Sequence, residues 1–207
     1  MMAELSRAGA TSGLIGGTLL AWGAVELVLR LRLALRPGLR ARLRSWSAMA
    51  GGRLREWTFY VVVVAITVAV VAAFGLAQIR RAAMGGGWVT VVTGEIIAVA
   101  GIALRVWAIL TLDQFFTFVV GIVDDHRVIQ HGPYRAVRHP GYSGALLALL
   151  GFGLALANWL SLLVIFVVPM LALGIRIKVE EATLADALGE EYRAYTHRTA
   201  RLIPAVW

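Results

Sequence analysis

The run WTFYVVVVAITVAVVAAFGLAQI, from Trp57 to Ile79, contains no charged side chain. Coiled as a helix at about 1.5 Å per residue it covers the ~30 Å hydrocarbon core of a bilayer. It is apolar on every side, so it has no face to turn toward water. Inside lipid each backbone N–H and C=O needs an internal partner, and a helix supplies them all. That single run therefore restricts the chain to a membrane helical bundle. Composition agrees: 59% of residues are hydrophobic and 15% charged, against about 25% charged in soluble domains, and mean hydropathy is +0.77.

Two further single spans run from about Gly9 to Leu29 and from about Trp88 to Leu112. A longer apolar run, Tyr142 to Ile177, exceeds one crossing and falls short of two full ones, and Asn158-Trp159 near its centre marks a turn. It predicts a tight helical hairpin. The expected fold is all-α and integral to the membrane, with five transmembrane helices. From Lys178 to Arg198 an amphipathic helix then leaves the bilayer, with Val179, Ala182, Leu184, Leu188, Tyr192 and Tyr195 on its apolar face. Pro204 ends it. Residues 1–207 read as one membrane domain, without internal repeats or a low-complexity linker.

The net charge of +8 is not a nucleic-acid signature here. Eight arginines, Arg30, Arg32, Arg36, Arg40, Arg42, Arg44, Arg53 and Arg55, crowd the loop after the first span, while the next loop has only Arg80 and Arg81. Cytoplasmic loops carry the excess of positive charge. The expected topology has the N-terminus outside, and 113–141 and the C-terminus inside. Trp46 makes the Arg-rich loop an interfacial segment held by anionic lipid. Arg-rich, Lys-poor usage fits a GC-rich genome, so a bacterial plasma membrane is the expected location. No removable signal peptide is expected. The chain has no cysteine, which excludes disulfides, thiolate ligands and a cysteine nucleophile. The histidines and carboxylates show no metal-ligand spacing, so no metal is expected.

Polar density concentrates in HGPYRAVRHPGYSG, His131 to Gly144, where the chain enters the membrane. Gly132-Pro133 signals a turn, and Pro140 suits the first turn of a helix. Interfacial anchoring by a snorkelling arginine and a headgroup-level tyrosine accounts for one or two such residues, but poorly for both triplets together. The second cluster is RIKVEEATLADALGEEYRAYTHRTARLIP. Arg176 and Glu180, four apart, share a helix face. An ordinary surface pair would look the same. Within the spans stand Glu26, Glu95 and Arg105, and ionisable groups in lipid suggest function. Arg105 and Glu26 lie near inner span ends, where Arg105 can snorkel and Glu26 reads as structural. Glu95 is the most interior and stays unassigned. It reaches Arg105 only if the helix bends, since ten residues span about 15 Å. GLIGG in the first span suggests close helix packing, and GGG at Gly85 a flexible outer turn.

HGPYRAVRHPGYSG, RIKVEE and LGEEYRAYTHRTARLIP, with RVWAILTLDQFFTFVVGIVDDHRVIQHGPY leading in, together resemble the isoprenylcysteine carboxyl methyltransferase family, itself similar to phospholipid N-methyltransferases. The likeness runs from about Ala103 to Pro204, leaving a variable N-terminal region of about 1–100 and a family-like half over 101–207. It implies S-adenosylmethionine as cofactor, with contacts carried over to His126, Val128, Gly132, Tyr134, His139, Tyr142, Glu180 and Glu181. Asp113 departs from the family's usual Gly after "TL". The acceptor implied is a lipophilic, prenylcysteine-like carboxylate. A carboxylate is ionised at neutral pH and needs a holder rather than a base, and Arg138 and Arg176 are the candidates. The alternatives are a lipid-amine N-methyltransferase, a steroid-reductase-like enzyme using NADPH, and a non-catalytic membrane protein. The expected partners are the bilayer and the acceptor, with no nucleic acid.

Overall fold

The computed structural model describes residues 2–35, 53–116 and 127–204. Among them are five α-helices: α1 (Met2–Ala34), α2 (Arg53–Leu76), α3 (Trp88–Leu112), α4 (Pro140–Ala155) and α5 (Trp159–Thr196). Short 3-10 turns occupy Arg80–Ala82, Asp113–Phe115 and Gly132–Arg135. The all-helical membrane architecture stands. Four helices, α1, α2, α3 and α5, are long and apolar enough to cross a bilayer. The expected fifth crossing, α4, has only 16 residues, short of the ~20 a span needs. The expected separate C-terminal helix is the continuation of α5, which runs 38 residues with a kink at Gly189, where φ is 57°. At 1.5 Å per residue its first ~20 residues are long enough to cross a bilayer.

The hairpin turn falls where Asn158 predicts it. Asn158 caps α5: its Oδ1 accepts from the backbone N–H of Leu160 and Ser161, both at 3.1 Å. Its Nδ2 donates to the Ile79 carbonyl at 3.1 Å, and Met84 N–H donates to Ala157 O at 2.7 Å. These bonds stitch the loop after α2 to the α4–α5 turn.

Helices α3 and α4 meet backbone to backbone. Gly94 and Gly101 on α3 face Gly151 and Gly144 on α4, and a Cβ at Gly144 would lie 2.6 Å from the Arg105 backbone nitrogen. The seven-residue spacing of both pairs keeps them on one seam. The close-packing glycines are therefore in α3 and α4, not in the first span, where Gly13, Gly16 and Gly17 have open space around them. Beside this seam a core forms from Ile15, Ala73, Ala98, Leu149, Phe152 and Ile165. Trp22 of α1 stacks on Phe152 with ring centroids 5.8 Å apart.

Candidate functional site

The polar cluster gathers where the start of α4, the middle of α5 and the C-terminal segment converge. Pro140 opens α4 with His139 just before it. Tyr142 then points across to α5. Its hydroxyl donates to Glu180 Oε2 at 2.6 Å and accepts from Arg176 Nε at 2.7 Å. Arg176 and Glu180 do share a face, bridged by the phenol. Arg176 is buried, and its NH1 donates to Thr58 Oγ1 of α2 at 3.2 Å. Its guanidinium also lies 6.0 Å from the Phe59 ring centroid, and Arg30 lies 5.3 Å from that ring.

Arg138 has a different setting. Its Nε donates to Glu181 Oε1 at 2.8 Å, and NH1 donates to the carbonyls of Thr196, at 3.0 Å, and Thr199. Arg201 holds the other Glu181 oxygen at 2.9 Å. The backbone joins in: Arg138 N–H donates to Ala200 O at 2.8 Å, and His139 N–H to Arg201 O at 3.0 Å. Ser143 Oγ donates to Leu202 O at 2.6 Å, and Leu202 is buried. So "TARLIP" is a strap that passes beneath the Arg-His-Pro turn and fixes it. Sequence reasoning read it only as a helix end. The available signal was Leu202, an apolar residue between charges.

Burial by itself would raise the Glu181 carboxyl. The neighbouring His139 and Arg138 outweigh that effect and bring it from 4.5 down to about 2. His139 Nε2 approaches Glu181 Oε1 to 3.4 Å, yet among the described residues it has no hydrogen-bond partner. The contact is thus electrostatic proximity rather than an aligned bond. The Tyr192 hydroxyl is likewise buried with no hydrogen-bond partner among the described residues, whereas Tyr195 OH donates to the Tyr134 carbonyl at 2.7 Å.

A cavity of about 410 Å³ links these groups. Its polar basin is walled by Val128, Tyr134, Arg138, His139, Tyr142, Arg176, Glu180, Tyr192 and Tyr195. Its apolar arm rises between α1 (Leu19, Trp22, Gly23) and α2 (Val62, Val63, Ile66, Thr67, Val70). From Phe59 to Val70 is about 16 Å of helix, roughly half the hydrocarbon thickness.

Of the residues expected at the site, Val128, Tyr134, Arg138, His139, Tyr142, Arg176 and Glu180 line this cavity. Gly132 and Glu181 are placed off its wall. Gly132, at φ 58°, makes the turn and packs toward Thr111, while Glu181 is turned to the two arginines. His126, Arg36, Arg40, Arg42, Arg44 and Trp46 lie outside the described residues. Tyr192, Tyr195, Thr58 and Phe59 were not foreseen, because nothing in their local spacing separates them from ordinary interfacial aromatics. Arg105 does not snorkel and does not reach Glu95. It is paired with Glu26. Among the described residues no group of three or more His, Asp or Glu could hold a metal ion.

Residues 94–186 match the model of the isoprenylcysteine carboxyl methyltransferase family. Over that segment the chain is similar to the family. A rice (Oryza sativa subsp. indica) protein described as a probable protein-S-isoprenylcysteine O-methyltransferase is 34% identical over 121 residues, covering 58% of this chain and 63% of the rice protein. The protein-S-isoprenylcysteine O-methyltransferase of Schizosaccharomyces pombe is 32% identical over 105 residues, covering 50% of this chain and 44% of the yeast protein. The solved structure of the eukaryotic intramembrane Ras methyltransferase ICMT superposes with a TM-score of 0.61 at 27% identity, covering 68% of this chain and 52% of that one. The chain thus spans less than two thirds of these curated relatives.

The likeness bears on two local features. Asp113, where the family usually has Gly, adopts φ 46°, a conformation glycine takes without steric cost. The match contains the Arg-His-Pro turn, Arg176 and Glu180. It leaves out both walls of the apolar arm, the two buried tyrosines of α5 and the strap.

Proposed function

We propose that the protein is an S-adenosylmethionine-dependent methyltransferase that O-methylates the carboxylate of a lipophilic, prenylcysteine-like acceptor. The observation that carries this reading is the shape of the cavity: an apolar arm about one leaflet deep that opens into a small polar basin. The basin suits the cofactor. It combines a carboxylate, Glu180, with two buried polar atoms that have no hydrogen-bond partner among the described residues, His139 Nε2 and Tyr192 OH. Buried polar atoms without partners are costly, and a polar ligand relieves that cost. Glu180 would face the ammonium of the cofactor. His139 and Tyr192 would meet its oxygen and nitrogen atoms, with Tyr134 and Val128 beside them.

When bound, S-adenosylmethionine supplies an electrophilic methyl group on a sulfonium. The chain's own work is alignment and exclusion of water. Arg176 is the holder of the acceptor carboxylate, because it is buried at the join of arm and basin and is oriented by Tyr142 and Thr58. Arg138 is fixed on Glu181 and the strap, so its role is to shape the turn. The cavity wall carries Arg30, Arg105, Arg127, Arg138 and Arg176 against Glu26 and Glu180. That excess of positive charge favours an anionic acceptor over a lipid amine, whose methylation also requires loss of a proton. The hydrocarbon tail would lie in the arm, with the basin at the inner leaflet of a bacterial plasma membrane and the N-terminus outside, as the Arg-rich loop directs.

Calorimetry of S-adenosylmethionine with purified protein in detergent tests the cofactor. The expected result is micromolar binding to wild type, lost in Glu180→Ala and weakened in His139→Ala and Tyr192→Phe. A well-folded wild type that binds none, with or without a farnesylated cysteine acid present, would overturn the reading.

A further inference from the structure

The Arg105 guanidinium makes three directed contacts. Its Nε and NH2 donate to the two carboxylate oxygens of Glu26 on α1, the second at 3.1 Å. Its NH1 donates to the Gly141 carbonyl at 3.1 Å. Trp22 Nε1 donates to the same Glu26 carboxylate at 3.3 Å. Gly141 lies in the first turn of α4, between Pro140 and Tyr142. Glu26, Arg105 and Gly141 all line the cavity.

An apolar pair would join α1 to α3 without the cost of removing two charges from water. The ionic form has a property no apolar pair offers: a planar fork that fixes several directions at once. We propose that Arg105 is a positioning residue that ties the α1 wall of the apolar arm to the turn presenting His139 and Tyr142. An acceptor tail lying against α1 and a cofactor lying against α4 are thereby held in one register. The inference rests on the methyltransferase reading of the cavity. In-line transfer is sensitive to such register, since a displacement of about 1 Å can cost about a hundredfold in rate.

Two variants separate positioning from mere bracing. The exchange Glu26→Arg with Arg105→Glu restores opposite charges between α1 and α3, but a carboxylate at 105 has no proton to give the Gly141 carbonyl, and an arginine at 26 cannot accept from Trp22 Nε1. Arg105→Lys keeps the positive charge opposite Glu26, yet a single ammonium cannot reproduce the fork. Thermal midpoint, calorimetric affinity for S-adenosylmethionine, and kcat and KM for a farnesylated cysteine acid are read on each. Both variants are expected to keep a midpoint near wild type and cofactor affinity within about threefold, while kcat falls at least about tenfold. Recovery of kcat together with the midpoint in the exchange variant, or wild-type kcat in Arg105→Lys, would reduce the contact to a brace and overturn the proposal. If the exchange variant does not fold, Arg105→Lys decides alone. A wild type that binds no cofactor is a failure of the methyltransferase reading, visible before any variant is made, and the inference falls with it.

Discussion

The two sides of the bundle are built on opposite principles. At the α3–α4 seam, glycines let two backbones touch, and a Cβ at any of Gly94, Gly101, Gly144 or Gly151 would overlap the opposing main chain. Helices α1 and α2 instead share the lining of the cavity, and open space surrounds Gly16, Gly17 and Gly23. The seam cannot adjust, and from it hangs the turn that carries His139 and Tyr142. The α1–α2 wall has room to differ without disturbing that turn. The family match begins at Gly94 and leaves out α1 and α2, in step with that division between a fixed frame and a separate wall.

The sharpest way to break the contrast is by glycine substitution. Gly101→Val or Gly144→Val should abolish the folded protein or lower its stability by more than about 3 kcal/mol, because neither backbone can yield. Gly16→Ala should be neutral or add up to about 1 kcal/mol, since alanine is the better helix former and the site is open. Thermal unfolding in detergent compares them. Equal effects at both places would remove the distinction between frame and wall.

Filling the arm is expected to act next most strongly. Thr67→Trp faces the cavity between α1 and α2, and it should raise acceptor KM by about tenfold or more through steric exclusion. Cofactor affinity should stay unchanged. A matching loss of cofactor binding in calorimetry would mean that arm and basin are not separate subsites.

The strap gives a pH-dependent prediction. Glu181 titrates near 2 in the folded chain against an ordinary 4.5. A depressed carboxyl contributes stability that is complete above the ordinary value and is lost as pH falls toward the folded value. The wild type should therefore lose stability between about pH 4.5 and 2, and Glu181→Gln should flatten that part of the profile while lowering stability at neutral pH. A wild-type acid limb unchanged by the substitution would contradict the role given to Arg138 and Arg201.

The smallest expected effect is at Asp113. Its φ of 46° is strained for a side chain, so Asp113→Gly relieves that strain while removing the side chain's own contacts, and stability should change by less than about 1 kcal/mol. Destabilisation beyond that would show that the aspartate side chain makes up for the backbone.

Much of the frame could be read from residues alone. Charge-free runs located the long helices, and Asn158 located the hairpin tip, because capping and turn chemistry are local. The Arg-His-Pro turn and the Arg176–Glu180 face were likewise legible from spacing. What escaped reading depends on distance in sequence. Glu26 meets Arg105 across 79 positions, and Arg138 meets Thr196 across 58. The first arm of that hairpin, α4, has 16 residues, fewer than a full crossing needs. The packing glycines were sought in GLIGG because that cluster is dense, whereas a seam needs only one glycine every second turn on each helix.

The most direct measurement is methyl transfer by the purified protein in lipid nanodiscs, with labelled S-adenosylmethionine and two competing acceptors, a farnesylated N-acetylcysteine acid and phosphatidylethanolamine. Base-labile methyl ester on the cysteine acid, abolished in Glu180→Ala and strongly reduced in Arg176→Lys, is the predicted result. Label confined to the lipid amine, or wild-type ester formation in Arg176→Lys, would contradict the assignment of the cavity to a carboxylate held by Arg176.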